Sequence, residues 1–218
     1  MIPIRSTVSV RSAPLATSLI IAVNTLIFFY QLTLSPYGLH AFIYQYGLVP
    51  DRIHVAALFT SMFLHGGWLH LIGNMWFLWV FGRGVEDLVG SGRYLAFYLG
   101  CGVIAGLLQY AISPFSRVPT IGASGAIAAV MGAYLIKFPH ARIVTLVPIF
   151  IFLTRMDLPA ALLLIYWFVI QFFSGIGSIG AASYSGGVAW FAHVGGFIAG
   201  MLVIRMLKTR PRYSYWDY

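Results

Sequence analysis

The chain has 218 residues, of which 60% are hydrophobic and only 8% are charged, and its mean hydropathy is +0.88. So few charged residues cannot cover the surface of a water-soluble globule, and the composition therefore indicates a protein solvated by a lipid bilayer. The net charge of +8 would suit nucleic acid, but the basic residues lie between and beyond the apolar runs and no nucleic-acid-binding motif is present. We predict the lipid bilayer as a partner and exclude nucleic acid.

Six apolar segments are candidate membrane spans, because a helix needs roughly 20 mainly apolar residues to cross the hydrocarbon layer. Their approximate bounds are 16–34, 68–85, 94–112, 123–136, 158–173 and 188–207. The fourth is short and rich in glycine and alanine, which favours close helix packing, and we expect it at the centre of the bundle. The connection 36–64 is long and is expected to form short helices in the interface. The apolar stretch 143–153 is too short to span and contains Pro148, so a loop or interfacial segment is expected there.

The basic residues predict the orientation of the spans. With the N-terminus in the cytoplasm, only Arg52 and Arg117 fall outside, and all other lysines and arginines fall on the cytoplasmic side. Both termini inside require an even number of spans. The predicted fold is therefore an all-α membrane protein with six transmembrane helices, a long first external loop and both termini cytoplasmic, in one membrane domain over residues 1–218. No targeting extension is recognisable, which favours a prokaryotic cytoplasmic membrane, and no internal repeat supports a transporter.

Polar groups at bilayer depth are costly, so each one within a span is a candidate functional residue. Ser124 lies at the outer end of the fourth span between Gly122 and Gly125, which leave room for another chain to approach its hydroxyl. His193 lies near the outer end of the sixth span, in a seam of small residues that includes Gly196. Both spans run from outside to inside, which places the two side chains at the same depth, about 5 to 10 Å below the outer boundary. Such a serine and histidine can act as nucleophile and base.

Each of these two residues also has a structural interpretation when it is taken alone. The Ser124 hydroxyl could bond back to a backbone carbonyl of its own helix or support helix packing. His193 could be a packed histidine that is hydrogen-bonded to a backbone carbonyl. The predicted topology leaves every acidic residue except Asp51 on the cytoplasmic side, so no carboxylate is available to orient His193. A Ser–His dyad is therefore implied, with the ring held by packing or backbone groups.

A third polar cluster lies where the second span enters from outside. His70 and Asn74 are four residues apart and share one helix face, from which they can donate hydrogen bonds to an oxyanion beside the Ser124 N–H. The rival interpretation is a metal site formed by His65, His70 and His193. No carboxylate ligand lies nearby, no His-Glu-x-x-His motif is present, and Cys101 is the only cysteine. We expect no metal and no cofactor.

Together these residues resemble the motifs of the rhomboid intramembrane proteases. The motifs are His65-x-x-x-x-His70-x-x-x-Asn74, Gly122-x-Ser124-Gly125 and Ala192-His193-x-x-Gly196, in this order and each on the expected span. The run Glu86-x-x-x-Gly90-Ser91 also looks like the cytoplasmic turn of that family, with a structural role. The likeness covers residues 63–207.

The resemblance implies a serine endopeptidase that hydrolyses a peptide bond in or near a transmembrane helix of a single-span or polytopic membrane protein, close to the outer face. It implies Ser124 as nucleophile, His193 as general base and then acid, and His70 and Asn74 as oxyanion donors. Structural roles near the site fall to His65, Gly122, Gly125 and Gly196. Some members of the family carry an aromatic residue four positions after the serine, where this chain has Ala128.

One alternative is an inactive rhomboid-like protein that binds membrane proteins or acts in their quality control. The presence of Ser124, His193, His70 and Asn74 together argues against it, because a binding protein does not need all four. A channel or transporter would need charged or repeated polar residues at the midplane, which are not found. For a protease, substrate entry is expected at the fifth span and the loop 174–186, whose glycines and serines suit a mobile cap.

Overall fold

The structure is a computed structural model and describes residues 2–149, 152–178 and 189–210. Within these ranges the chain forms nine α-helices and one antiparallel sheet of three strands. The fold is mostly helical, as the composition predicts. The prediction of an all-α chain is wrong, because the chain also forms this sheet.

The first part of the chain begins with strand β1 (Ile2–Ser6) and helix α1 (Leu15–Thr33). The connection that follows contains helices α2 (Pro36–Tyr46) and α3 (Val55–Thr60), together with 3-10 turns at Pro50–Arg52 and Ser61–Phe63. Helix α2 begins at a proline after Ser35, whose side chain accepts a hydrogen bond from the Gly38 N–H at 3.1 Å. The prediction of short helices in this connection is confirmed.

The second predicted span is one helical rod in three parts: α4 (Trp68–Phe77), a π turn (Leu78–Gly82) and α5 (Arg83–Val89). Near the C-terminal end of this rod the buried carboxylate of Glu86 accepts hydrogen bonds from the backbone N–H groups of Ala16 and Thr17, both at 2.8 Å, and from the Ser91 hydroxyl at 2.6 Å. These contacts satisfy N–H groups that the first turn of α1 leaves without helical partners. Glu86 therefore has the structural role expected from its motif.

The remaining predicted spans coincide with α6 (Ser91–Ile112), α7 (Ser124–Lys137), α8 (Ala160–Ser178) and α9 (Trp190–Met206). Among the described residues, α1, α6 and α8 are long and apolar enough to cross a membrane. A fourth such unit forms if Val55–Phe63 and Trp68–Val89, which meet at 92°, are taken as one broken span, and α7 and α9 are shorter apolar helices.

The sheet occupies the stretch for which a loop was expected. Strand β2 (Arg142–Ile149) pairs antiparallel with β3 (Phe152–Pro159) on one side and with β1 on the other. The register joins Ile2 to Leu146 and Ile149 to Phe152. The reason is the run of β-branched residues in β2, Ile143, Val144, Thr145 and Val147, which favours a pleated strand.

Helix α7 is the centre of the molecule. Every side chain from position 125 to 134 is buried, as the short Gly/Ala-rich pattern predicts. Helix α9 packs directly on its backbone, since a Cβ atom on Gly196 would overlap the Gly125 carbonyl and one on Gly200 would overlap the Ala129 carbonyl. Such glycines let two helix backbones approach closely. This contact fixes the height of α9 relative to α7.

Candidate active site

Ser124 is the first residue of α7 and follows a sharp turn at Gly122. Gly122 has a φ of +119°, a conformation that glycine adopts most readily, and its N–H donates to the Ser61 carbonyl at 2.9 Å. A Cβ at this position would lie 2.6 Å from Nε2 of His70, so a larger residue would also collide with that ring. The turn at Gly122 therefore ends the preceding segment. Helix α7 begins directly after it, at a point where the Ser124 hydroxyl faces an open cavity.

The Ser124 hydroxyl and the His193 ring are in hydrogen-bond contact. Oγ of Ser124 lies 2.7 Å from Nε2 of His193, which is in the first turn of α9. His193 is buried and Ser124 is half-buried. The glycine contact between α7 and α9 holds the starts of the two helices close together.

The other nitrogen of His193 contacts a residue that the sequence analysis missed. Nδ1 lies 2.5 Å from the side-chain oxygen of Gln171 on α8, and Gln171 is only 7% exposed. The sequence predicted that packing or backbone groups would hold this ring, whereas the structure shows a side-chain amide beside it. Gln171 could have been found by the argument used for the other site residues, because it is the only side-chain amide in the fifth span and follows Trp167 by four residues on the buried face of α8.

Two tryptophans enclose the imidazole of His193. The ring centroid of Trp167 lies 5.7 Å from that of His193 at an interplanar angle of 38°, and Trp190 meets the histidine ring edge-on at 6.3 Å. Ala128, at the position where some rhomboid proteins carry an aromatic residue, is fully buried inside α7. Aromatic packing on His193 therefore comes from α8 and α9.

His70 and Asn74 lie beside the Gly122 turn. A Cβ on Gly122 would be 2.6 Å from Nε2 of His70 and 3.6 Å from Nδ2 of Asn74, so both nitrogens face the loop that carries Ser124. The backbone N–H of Gly66 donates to Nδ1 of His70 at 3.3 Å, which leaves the proton of the neutral ring on Nε2. Both residues thus present a donor on the same side of the serine.

His65 is a buried support for Asn74. Its Nε2 lies 2.9 Å from Nδ2 of Asn74, and its backbone N–H and carbonyl are both bonded to the Gln31 side-chain amide of α1 at 3.0 Å. Its Nδ1 has no hydrogen-bond partner among the described residues. This arrangement fits the structural role expected for His65, and it connects the first helix to the proposed oxyanion donors.

A cavity of about 660 Å³ lies against most of these side chains. Its lining includes Ser124, His193, His70, Asn74 and Gln171. The polar atoms converge at one end of an otherwise apolar space, which is the usual form of a ligand or substrate site.

Acidic residues and metal ligands are distributed as follows. Asp51 forms an exposed ion pair with Arg117 at 3.2 Å, and Glu86 lies in the middle of α5. In residues 2–149, 152–178 and 189–210, no group of three or more His, Cys, Asp or Glu side chains is placed to hold a metal ion. Of the expected entry loop 174–186, residues 174–178 continue α8 and residues 179–186 lie outside the described ranges.

Comparisons with known proteins find one matching family model, the Rhomboid domain, over residues 52–210. The chain is 30% identical over 105 residues to the human presenilin-associated rhomboid-like protein, mitochondrial, which covers 47% of this chain and 28% of that protein. It is 42% identical over 78 residues to the Bacillus subtilis rhomboid protease GluP, covering 36% and 15% of the two chains. The putative rhomboid protease YdcA of the same organism is 37% identical over 78 residues, which is 36% of this chain and 39% of YdcA. The aligned part is thus well under half of each relative.

Proposed function

Since this chain belongs to the rhomboid family, we propose that it is an intramembrane serine endopeptidase with Ser124 as nucleophile and His193 as general base. The observation that carries the proposal is the 2.7 Å contact between Oγ of Ser124 and Nε2 of His193 inside the polar end of a cavity. A nucleophile within hydrogen-bond reach of its base is the basic requirement of covalent acyl transfer. The relatives that are named rhomboid proteases point to the same reaction class.

The proposed reaction has two acyl-transfer steps. Ser124 Oγ attacks the carbonyl carbon of the scissile bond while its proton moves to Nε2 of His193, giving a tetrahedral oxyanion. The C–N bond then breaks, and His193 returns the proton to the departing amine, leaving an ester on Ser124. A water molecule, deprotonated by the same nitrogen, attacks the ester and releases the carboxyl product and the free serine.

The oxyanion is proposed to be held by three donors. Nε2 of His70 and Nδ2 of Asn74 face the Gly122 turn, and the N–H of Ser124 belongs to the first turn of α7, whose amides have no partners within the helix. The positive end of the α7 dipole adds to this stabilisation. Removal of one such donor typically lowers kcat by about 10²- to 10³-fold.

The proposed topology has six spans and both termini on the cytoplasmic side. It is supported by contacts between the two ends of the described chain: the Ser12 N–H donates to Asp87 at 2.8 Å, and the Arg210 N–H donates to the Leu88 carbonyl at 2.7 Å. The segment before the first helix and the segment after the last therefore both contact α5, which supports the proposal that both termini lie on one side of the membrane. With its apolar helices and family membership, the chain is an integral membrane protein.

The proposed substrates are single-span or polytopic membrane proteins. Every carbonyl of an intact transmembrane helix is hydrogen-bonded within the helix, so a substrate must unwind locally before its backbone can reach Ser124. The kind of membrane stays a prediction, for which the sequence favoured a prokaryotic cytoplasmic membrane. The relatives do not favour it over an organelle, because both mitochondrial and Bacillus proteins match.

The test is cleavage of a single-span substrate by purified wild-type protein, Ser124→Ala and Ser113→Ala, reconstituted in liposomes with and without chelator. Ser113 ends the neighbouring helix α6 outside the cavity lining and serves as the matched control. We expect cleavage by the wild type and Ser113→Ala, none by Ser124→Ala, and no effect of the chelator. Absence of cleavage by all three proteins across several substrates would favour the inactive binding protein.

A further inference from the structure

We propose that Gln171 is a positioning residue that holds His193 in the tautomer and orientation needed to accept the Ser124 proton, an inference that rests on the proposed function. Its side-chain oxygen lies 2.5 Å from Nδ1, and the opposite nitrogen of the same ring lies 2.7 Å from Oγ of Ser124. Gln171, His193 and Ser124 thus form one line of hydrogen bonds from α8 through α9 to α7.

The direction of these bonds defines the tautomer. An amide oxygen only accepts, so Nδ1 of His193 must carry the proton in its bond to Gln171. The neutral ring then has a lone pair on Nε2, the nitrogen that faces the serine hydroxyl. A ring with the opposite tautomer would direct an N–H at Oγ and could not remove its proton.

Burial makes this contact selective for one ring orientation. Gln171 is 7% exposed and His193 8% exposed, so water has little access to replace the bond if it is lost. Trp167, one helical turn before Gln171, packs on the face of the same imidazole. Helix α8 therefore supplies both a hydrogen bond to the edge of the ring and packing against its face.

Gln171 differs from an aspartate in this position because it is neutral. It fixes the proton on Nδ1 and the plane of the ring, but it adds no negative charge to stabilise the imidazolium formed when Ser124 attacks. The charge that develops on His193 is balanced instead by the adjacent oxyanion. We therefore assign to Gln171 an orienting contribution only.

The experiment compares the wild type with Gln171→Met, Gln171→Glu and the control Gln109→Met. Methionine keeps the length of the side chain but removes the acceptor, whereas glutamate restores an acceptor oxygen. Gln109 is the matched control because its amide also bonds to α9, at the Ala192 N–H and a distance of 3.2 Å, without touching the imidazole. The measurements are kcat and KM for a single-span substrate and the side-chain ¹⁵N shifts of His193 in histidine-labelled protein.

We expect Gln171→Met to lower kcat by about 10- to 100-fold with little change in KM, the loss expected when a buried group is left without its hydrogen bond. Gln171→Glu should recover most of this loss, and Gln109→Met should retain kcat near the wild-type value. The ¹⁵N shifts should report a proton on Nδ1 in the wild type and a mixture of tautomers in Gln171→Met.

Three results would overturn the inference: an unchanged tautomer in Gln171→Met, an equal loss of kcat in Gln109→Met, or no recovery by glutamate. The tautomer measurement needs no catalysis. Lack of cleavage by the wild type would refute the protease assignment, while the ¹⁵N shifts would still decide whether Gln171 orients the ring.

Discussion

Gly196→Ala is the sharpest single test of how the fold builds the Ser124–His193 pair. Gly196 is on α9 one turn after His193, and a Cβ there would overlap the Gly125 carbonyl oxygen and lie 3.4 Å from the Cβ of Ala105. The obstacle is backbone, so no change of rotamer relieves it. Helix α9 must move away from α7 by roughly 1 Å, because protein interiors have no spare volume to absorb the methyl group.

This displacement of α9 lengthens the contact between Ser124 and His193, which is kept only over a narrow range of distances. Oγ of Ser124 lies 2.7 Å from Nε2 of His193. If α9 moves away by the displacement given above, the two atoms are too far apart for a hydrogen bond. A misplacement of this size can cost about 100-fold in rate. We therefore expect kcat in a liposome cleavage assay to fall by about two orders of magnitude, with a loss of roughly 1 to 3 kcal/mol in the free energy of unfolding.

Gly100→Ala is the matched control. Gly100 is in the middle of α6, and a Cβ there would meet no atom within 4 Å. The same substitution should keep full activity and stabilise the helix by up to about 1 kcal/mol. If Gly196→Ala kept wild-type kcat and thermal stability, the close backbone contact between α7 and α9 would not be what fixes the pair, and the reasoning would be wrong.

Three further predictions concern other parts of the molecule. Asn74→Ala should lower kcat by about 100-fold or more with KM little changed, because it removes one oxyanion donor; steady-state kinetics measure the two separately. Glu86→Gln should lower the free energy of unfolding by about 1 to 3 kcal/mol, since it replaces one of two carboxylate oxygens that hold the start of α1, and thermal unfolding in detergent reports the loss. Arg117→Ala should change stability by less than about 1 kcal/mol in the same assay, because the Arg117 side chain is 82% exposed in its pair with Asp51.

The helices and the principal site residues could be predicted from the sequence because each leaves a strong local signal. A membrane helix must satisfy its backbone within one segment, so apolar length alone indicates it. Ser124, His193, His70 and Asn74 are conspicuous because polar groups are rare at that depth. The predicted direction of the spans placed these four residues at the same depth, and the structure brings them to one cavity.

The sheet could not be predicted from those signals, because its strands are distant in sequence. Ile2 pairs with Leu146. The periodicity of either segment does not indicate that the other segment is its partner. Pro148 and the short length of the apolar stretch excluded a membrane span but did not distinguish a strand from a loop. The β-branched residues of β2 were the available evidence.

Gln171 was missed for a different reason. A carboxylate is the usual group that orients a catalytic histidine, and the predicted topology offered none near His193. The amide performs the same geometric task without charge, so it leaves no electrostatic signal in the sequence. Its partner on α9 is 22 residues away, and only the packing of α8 on α9 shows that they meet.

The pairing of β1 with β2 has a consequence for biogenesis. Residues 2–6 precede their partner strand in the chain, which is made only after α1, α4 to α6 and α7 have been synthesised. Translation at about 5 to 20 residues per second leaves the first strand without its partner for several seconds or longer. Closure of the sheet therefore follows the synthesis of α1 to α7, and a crosslink between positions 2 and 146 would report when this closure occurs.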